Sequence, residues 1–554
     1  MPSDSDEPAL TTPERATSLP PADSGRKRVA KASIFLMAGI LLSRLLGLVR
    51  NSIIAHKFGQ GFDTDVYNAA FIVPDLLFFL LAGGVFSGAF TPVFTRYLAL
   101  GKEKDAWRIF SVVASTMTLV IGFFIILGEI FLPFLVEKCN PGYTPDKIIA
   151  TVALTRILLP AQICFFLGGL MMATLTARNL NAGQAFGPAI YNLGIIFGAL
   201  FLTNRYGIAG LCWGAAGGAV IGNLLLQWVL VRRSGGYFLP GAMRKYWHHE
   251  GVKSVWKLML PVILGLALPQ VSTIIGRVFA SKIGEGAQSA LMNANVLFQI
   301  PLGVFAQAIS IASLPVMAAH AARGEMVEMR KSVVYSLRSI LFLTLPSSMI
   351  MIVLALPIVQ FLLQSGKFTQ ENSEMTAIVL CPFAAGIFAW SAHSILSRAF
   401  YALEETKVPV IVGTIVTFIF IPLNWVSLSI TGTENRALAT AGLALTTTIA
   451  ALLHMSGLVI LLRKRLKGLD GTLLLPALLK MVLASASAAG VCFLLRQIMA
   501  LLLRHFALAP RVSSGITLLV CLTLSGLAYV GFSLLLEVEE VSIVERLARK
   551  LVRR

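Results

Sequence analysis

Runs of more than twenty residues without an Asp, Glu, Lys or Arg recur through this 554-residue chain, and they restrict its fold more than any other feature. They include Gln184 to Asn204, Tyr206 to Val231, Ser339 to Gly366, Met375 to Ser397, Val408 to Thr433, Ala437 to Leu462 and Val512 to Leu536. At about 1.5 Å of rise per residue, each can cross a hydrocarbon core about 30 Å thick as a helix. A large soluble protein can bury one such run, but not a dozen. Only 13% of the residues are charged, against roughly 25% in soluble domains, too few to cover a water-exposed surface of this size. The runs are continuous rather than alternating, which excludes the strands of a membrane β-barrel. The pattern predicts an all-α polytopic membrane protein with about fourteen transmembrane helices.

Charge placement then orients the chain. The net charge of +19 would suggest nucleic acid in a soluble protein, but the basic residues gather in alternate loops. The loops and tails on the side of both chain ends carry 31 Lys and Arg, including the run Arg26-Lys27-Arg28, six residues between Arg232 and Lys257, and five in the C-terminal tail. Positive loops stay in the cytoplasm, so an even number of helices with both ends inside is expected. Residues 1–31 lack the apolar centre of a cleavable signal peptide and read as a flexible cytoplasmic tail. None of the six cysteines stands in a CxxC or other ligand spacing, so no disulfide or metal framework is expected.

The sequence also repeats itself. Ala55-His56-Lys57-Phe58-Gly59-Gln60-Gly61 is echoed by Ala280-Ser281-Lys282-Ile283-Gly284-Glu285-Gly286 at an offset of 225 residues. Gly84-Val85-Phe86 is echoed by Gly303-Val304-Phe305, and Leu175-Thr176-Ala177-Arg178 by Leu396-Ser397-Arg398. The repeat divides the chain into a six-helix lobe over 32–231, a basic cytoplasmic linker over 232–257 and a second six-helix lobe over 258–462. An accessory helix pair over 463–536 and a basic tail over 537–554 complete it. An even number of helices per repeat preserves orientation, giving two parallel lobes, a plan whose substrate sites lie between the lobes in secondary transporters.

Charges inside the apolar segments mark the candidate site. Arg44 falls mid-segment and Arg50 six residues later, about 120° around the helix. An arginine at that depth needs a partner, a wet cavity or a route to the interface. Two readings therefore stand: pairing with acids such as Asp65 and Asp75, or anion contact in a central cavity. Arg156 and Arg277 are weaker candidates of the same kind, and Gln270 and Asn295 add polarity at membrane depth suited to a sugar or to an interhelical hydrogen bond. The repeat places Pro269, followed by Gln270, opposite Arg44, so the cationic wall belongs to the first lobe. No Walker A motif, zinc helix or nucleophile elbow appears, and no cofactor is implied. Coupling to the membrane potential or to an ion gradient stays open, with no ion specified.

The run Ser43-Arg44-Leu45-Leu46-Gly47-Leu48-Val49-Arg50, the stretch from Phe58 to Tyr67 (FGQGFDTDVY), the stretch from Gly84 to Phe94 (GVFSGAFTPVF), Gly366 to Thr369 and Ser397 to Val410 (SRAFYALEETKVPV) together resemble the MurJ/MviN family of lipid II flippases. The resemblance implies a transporter, not an enzyme, that moves undecaprenyl-diphosphate disaccharide pentapeptide from the inner to the outer leaflet by alternating access. It assigns the family's first-helix arginines to Arg44 and Arg50 and its acid after the first outer loop to Asp65. It implies a lipid-linked glycan and membrane lipids as partners, contacts with cell-wall synthesis proteins, and no nucleic acid. Two family cations are missing: Phe79 and Val296 stand at their positions, with Asn295 in place of an aspartate. Their loss keeps open the export of another polyprenyl-diphosphate-linked glycan or amphiphile, and the basic cytoplasmic loops suit a further alternative, a non-transporting membrane scaffold for cell-wall enzymes.

Overall fold

The computed structural model describes residues 22–81, 86–178, 180, 186–469, 471–506 and 508–542; the side chains of 22–38, 40, 80, 81, 86, 87, 260–271 and 471–473 fall outside that description. Among the described residues every regular element is a helix, and eleven helices are long and apolar enough to cross a membrane. They run from Glu103–Cys139 through Gln370–Ala402 to Pro510–Leu535. The chain is a multi-pass, all-α membrane protein.

The helix Glu103–Cys139 shows why these segments sit in lipid. Met117, Ile121, Ile125, Leu132 and Val136 are buried on one side, while Phe123, Ile126, Ile130 and Phe134 stand exposed on another. Both sets follow the three-to-four spacing of a helix face. An exposed apolar stripe of this length is stable only against hydrocarbon. With backbone polar groups bonded within the helix, no unpaired peptide meets the lipid.

Many helices are not straight. Wide π-helical turns interrupt them at Phe86–Phe90, Gly198–Leu202, Ala219–Leu225 and Leu302–Ala306. The last follows Pro301 at the end of Ala287–Pro301, where proline removes one helix hydrogen bond. Close packing elsewhere depends on small residues. A Cβ on Gly214 would lie 2.3 Å from the Gly194 carbonyl oxygen, and one on Gly194 would lie 2.5 Å from that of Gly214. The helices containing them, Gly187–Phe197 and Ala209–Gly218, therefore meet backbone to backbone.

One apolar core joins Phe90, Phe94, Trp107 and Phe110 to Phe166 and Val255 in the first half of the chain. Another joins Met329, Phe342 and Phe400 to Met481, Ala488 and Tyr529, so the last two helices pack on the second half. All six cysteines are free. The first helix, Ala22–Phe58, begins ten residues before the expected span and takes in the basic run that was assigned to a flexible tail. Pro20 and Pro21 precede it, and from Ala22 onward nothing breaks the helix until Gly59. In the expected linker 232–257, the short helix Ala242–Tyr246 forms and a long helix starts at Glu250, capped by His249 Nδ1 accepting from the Gly251 amide at 3.1 Å.

Candidate functional site

The first helix directs its two arginines to different neighbours, as a separation of six residues requires. Arg50 donates from Nη1 to Asn192 Oδ1 at 2.9 Å, and from Nε and Nη2 to Asn51 Oδ1 at 3.1 and 3.0 Å. Asn192 is held in turn, donating to the Ser43 and Pro188 carbonyl oxygens at 3.2 and 3.1 Å. Arg44 points to the helix Ala287–Pro301, where Nη1 donates weakly to the Gln299 carbonyl oxygen at 3.4 Å. The Arg44 guanidinium lies directly over Gly303, where a Cβ would fall 1.5 Å from Nη1. Gln299 Nε2 donates to Asn295 Oδ1, so Asn295 belongs to the Arg44 side of the site.

Among the described residues neither arginine has a carboxylate partner. The other two candidate cations do. Arg277 pairs with Asp75 at 2.9 Å and is buried, and Arg156 pairs with Glu129 at 3.6 Å with its side chain 57% exposed. Of these four candidate cations, the two without an acidic partner among the described residues are therefore Arg44 and Arg50. A cavity of about 70 Å3 sits against Arg50, lined also by Asn51, Tyr67, Asn68, Ser289, Asn293 and Val296. Val296 thus faces Arg50 where the resemblance anticipates another cation. Phe79 packs edge-on against Phe78. The side chain of Gln270 lies outside the described residues.

Asp65 is fully buried and sits apart from both arginines' hydrogen bonds. Its carboxylate pairs with Lys147 at 3.0 Å. It also accepts from the Gly286 amide at 2.7 Å, the Ser289 amide at 3.0 Å and the Ser289 hydroxyl at 2.7 Å. Gly286 and Ser289 begin the helix Ala287–Pro301, whose first amides have no partner within the helix. An anion from the first half of the chain thus caps a helix of the second half, where the helix dipole favours it. Tyr143 adds a bridge, donating to Gln288 Oε1 and to the Asp65 carbonyl oxygen. Nearby, the turn after the first helix crosses the turn before Gln370: the Lys367 amide donates to the His56 carbonyl oxygen at 2.9 Å. Gly59, at φ +70°, allows this crossing, because a Cβ there would lie 2.6 Å from the Lys367 carbonyl oxygen.

The residues sequence reasoning missed are the partners. Lys147 and Ser289 carry no motif, and Gly303 is marked only as part of the repeat. Among the described residues, no group of three or more His, Cys, Asp or Glu is placed to hold a metal ion.

Membrane-spanning helices broken by π turns and prolines, with two arginines that lack an acidic partner among the described residues, define a polytopic membrane protein of the transporter class. The chain belongs to the lipid II flippase MurJ family, whose model matches residues 54–512. It is a transporter rather than an enzyme. It is 32% identical over 381 residues to a probable lipid II flippase MurJ of Buchnera aphidicola, covering 68% of this chain and 73% of the relative. It is 29% identical over 527 residues to a probable lipid II flippase MurJ of Bdellovibrio bacteriovorus, covering 94% and 97%. The fold matches a lipid II flippase MurJ in an inward closed conformation, with a TM-score of 0.73 and 24% identity over 90% of this chain and 98% of the other. It also matches an inward-facing multidrug transporter of the MATE family, with a TM-score of 0.63 and 14% identity over 79% and 99%.

Proposed function

We infer that this protein carries lipid II, the undecaprenyl-diphosphate-linked peptidoglycan precursor, from the inner to the outer leaflet of the bacterial inner membrane by alternating access. One observation carries this reading: Arg44 and Arg50 have no carboxylate partner among the described residues, while Arg156 and Arg277 each pair with an acid. A diphosphate diester carries one negative charge per phosphate, so two guanidinium groups balance it. Their planar forks suit phosphate oxygens, and Asn295 and Gln299 beside Arg44 offer amides to the first sugar. On this reading Arg44 is the first contact and Arg50 the deeper one.

The reading includes an architecture. The helices Ala22–Phe58 and Glu250–Ser281 and the broken stretch from Phe62 to Ala99 add three crossings to the eleven long apolar helices. Fourteen crossings put both chain ends in the cytoplasm, as two six-helix lobes followed by an accessory pair. The contacts of Asp65 then form the outer gate, closed in this conformation, and breaking them opens the cavity to the outer leaflet. Val296 and Phe79, in place of cations, favour a second reading within the same fold: another polyprenyl-diphosphate-linked glycan as cargo.

Complementation tests the choice. In cells depleted of their own lipid II flippase, the protein should restore labelling of lipid II by an outer-leaflet probe, and Arg44→Ala should abolish it at normal expression. Full expression without restored labelling would refute lipid II as cargo. Restoration by Arg44→Ala and Arg50→Ala together would instead favour a scaffold.

A further inference from the structure

A second group of positive charges lies at the far end of the first helix, on the face opposite the chain ends. There the end of Ala22–Phe58, the turn Gly198–Leu202, the residues after Ala355–Leu363 and the start of Pro510–Leu535 enclose a cleft of about 380 Å3. Leu48, Leu200 and Leu362 contribute to an apolar wall, and His56, Lys57 and Arg511 line the rim. From Leu48 to His56 the helix climbs about 12 Å, so the wall descends well below the charged rim.

The basic groups are anchored but not neutralised. Lys57 donates to Thr203 Oγ1 at 3.0 Å and to the Leu200 carbonyl oxygen at 3.4 Å. Arg511 donates to the Phe361 carbonyl oxygen at 2.9 Å and to Ser52 Oγ at 3.4 Å. All of these partners are uncharged, and no carboxylate pairs with the three rim groups among the described residues. Lys and Arg are disfavoured on the face opposite the cytoplasm, so two of them beside a histidine, above an apolar wall, match an amphiphile with a multiply charged phosphate head.

The cluster is also in register with the central site. Lys57 follows Arg50 by seven residues, which leaves them within about 20° on one helix stripe and about 10 Å apart along the axis. Both reach the same neighbouring stretch of chain, Arg50 at Asn192 and Lys57 at Thr203. We propose that His56, Lys57 and Arg511 form a lateral receiving site for the diphosphate of the transported polyprenyl lipid after it passes Arg50, with the prenyl chain against the leucine wall. The proposal rests on the reading of the cargo as a polyprenyl diphosphate. A bulk phospholipid, with a single phosphate, would leave part of this charge unmatched.

Native mass spectrometry of the full chain with undecaprenyl diphosphate, and separately with phosphatidylglycerol, tests it. Lys57→Gln with Arg511→Gln should weaken undecaprenyl diphosphate binding about tenfold or more, leave phosphatidylglycerol binding unchanged and leave the thermal melt in place. Lys57→Arg should retain binding. Unchanged undecaprenyl diphosphate binding in the double variant would overturn the proposal, and so would an equal loss for phosphatidylglycerol, which would make the cleft a site for bulk anionic lipid. If the double variant does not melt cooperatively, Lys57→Gln alone decides by the same comparison. Binding weakened by Arg44→Ala but not by the rim variants would remove this site and leave the cargo reading intact. No binding by the wild type would remove both.

Discussion

Replacing Asp65 by Ala should release the proposed outer gate, and the size of the effect follows from what the carboxylate touches. It is fully buried, pairs with Lys147, itself 7% exposed, and accepts three hydrogen bonds from Gly286 and Ser289. Removing one member of a buried ion pair costs about 3–5 kcal/mol, because the other charge is left without compensation. The Gly286 and Ser289 contacts join the first half of the chain to the second, and on the proposed alternating-access reading they break when this face opens. That share of the loss shifts the closed-to-open equilibrium rather than folding alone. Three hydrogen bonds to a charged acceptor, at about 1 kcal/mol or more each, raise the open population by about two decades. A cysteine placed at Asn68, on the cavity beneath the seal, reports the change through its reaction with a membrane-impermeant maleimide added from outside. The reaction should be slow in the Asn68→Cys background and faster by about two decades or more when Asp65→Ala is added. Adding Lys147→Met should recover thermal stability by removing the stranded cation, without restoring slow labelling. Equal labelling with and without Asp65→Ala, in protein that still melts cooperatively, would refute the latch.

Other substitutions probe separate parts of the argument. Gly303→Ala should displace the Arg44 guanidinium, whose Nη1 would lie 1.5 Å from the new Cβ; lipid II export should fall while the thermal melt holds, because the displaced group is the free end of a flexible side chain. Gly214→Leu should cost about 3 kcal/mol or more, since its Cβ would lie 2.3 Å from the Gly194 carbonyl oxygen, and the melt should fall together with the yield of folded protein. At the rim near the chain ends, the Arg178 hydrogen bond at 2.6 Å holds the Glu103 carboxyl below the usual carboxylate range, helped by Trp107. This contribution is complete above the unfolded pKa and is lost as pH falls through the lowered folded value. Because Glu103 is half-exposed and screened by solvent, Glu103→Gln should cost about 1 kcal/mol or less at neutral pH, with the difference from wild type vanishing in acid.

The spans were legible because hydrophobic length is a local property: a block such as Tyr206 to Val231 has one inexpensive place to be. The divergence of Arg44 and Arg50 was legible from helix geometry alone. Their surroundings were not. Asp65 and Asp75 read as counter-charges for these arginines, whereas Asp65 pairs with Lys147 and Asp75 with Arg277, 202 residues away. Which acid finds which base depends on how helices dock, and no periodicity in one segment encodes that. Asp65 reaches Gly286 and Ser289 across 221 and 224 residues for the same reason. The early start of the first helix was missed because a basic, Ser-containing stretch resembles a tail in composition, although Ala, Lys and Arg are strong helix formers.

The crossing of the turns at His56 and Lys367 has a further consequence, for genetics. Its bond runs from main-chain amide to main-chain carbonyl, so a systematic replacement of side chains passes over it: a new residue at either position supplies the same two atoms. Loss-of-function screens will therefore find the acid and the lysine of the seal and remain blind to this contact. Two kinds of change are exceptions. A side chain at Gly59 would collide with the Lys367 carbonyl and one at Gly366 with the His56 carbonyl, and proline at 367 would delete the donor itself. Such variants separate the part of the closure written in side chains from the part written in the backbone.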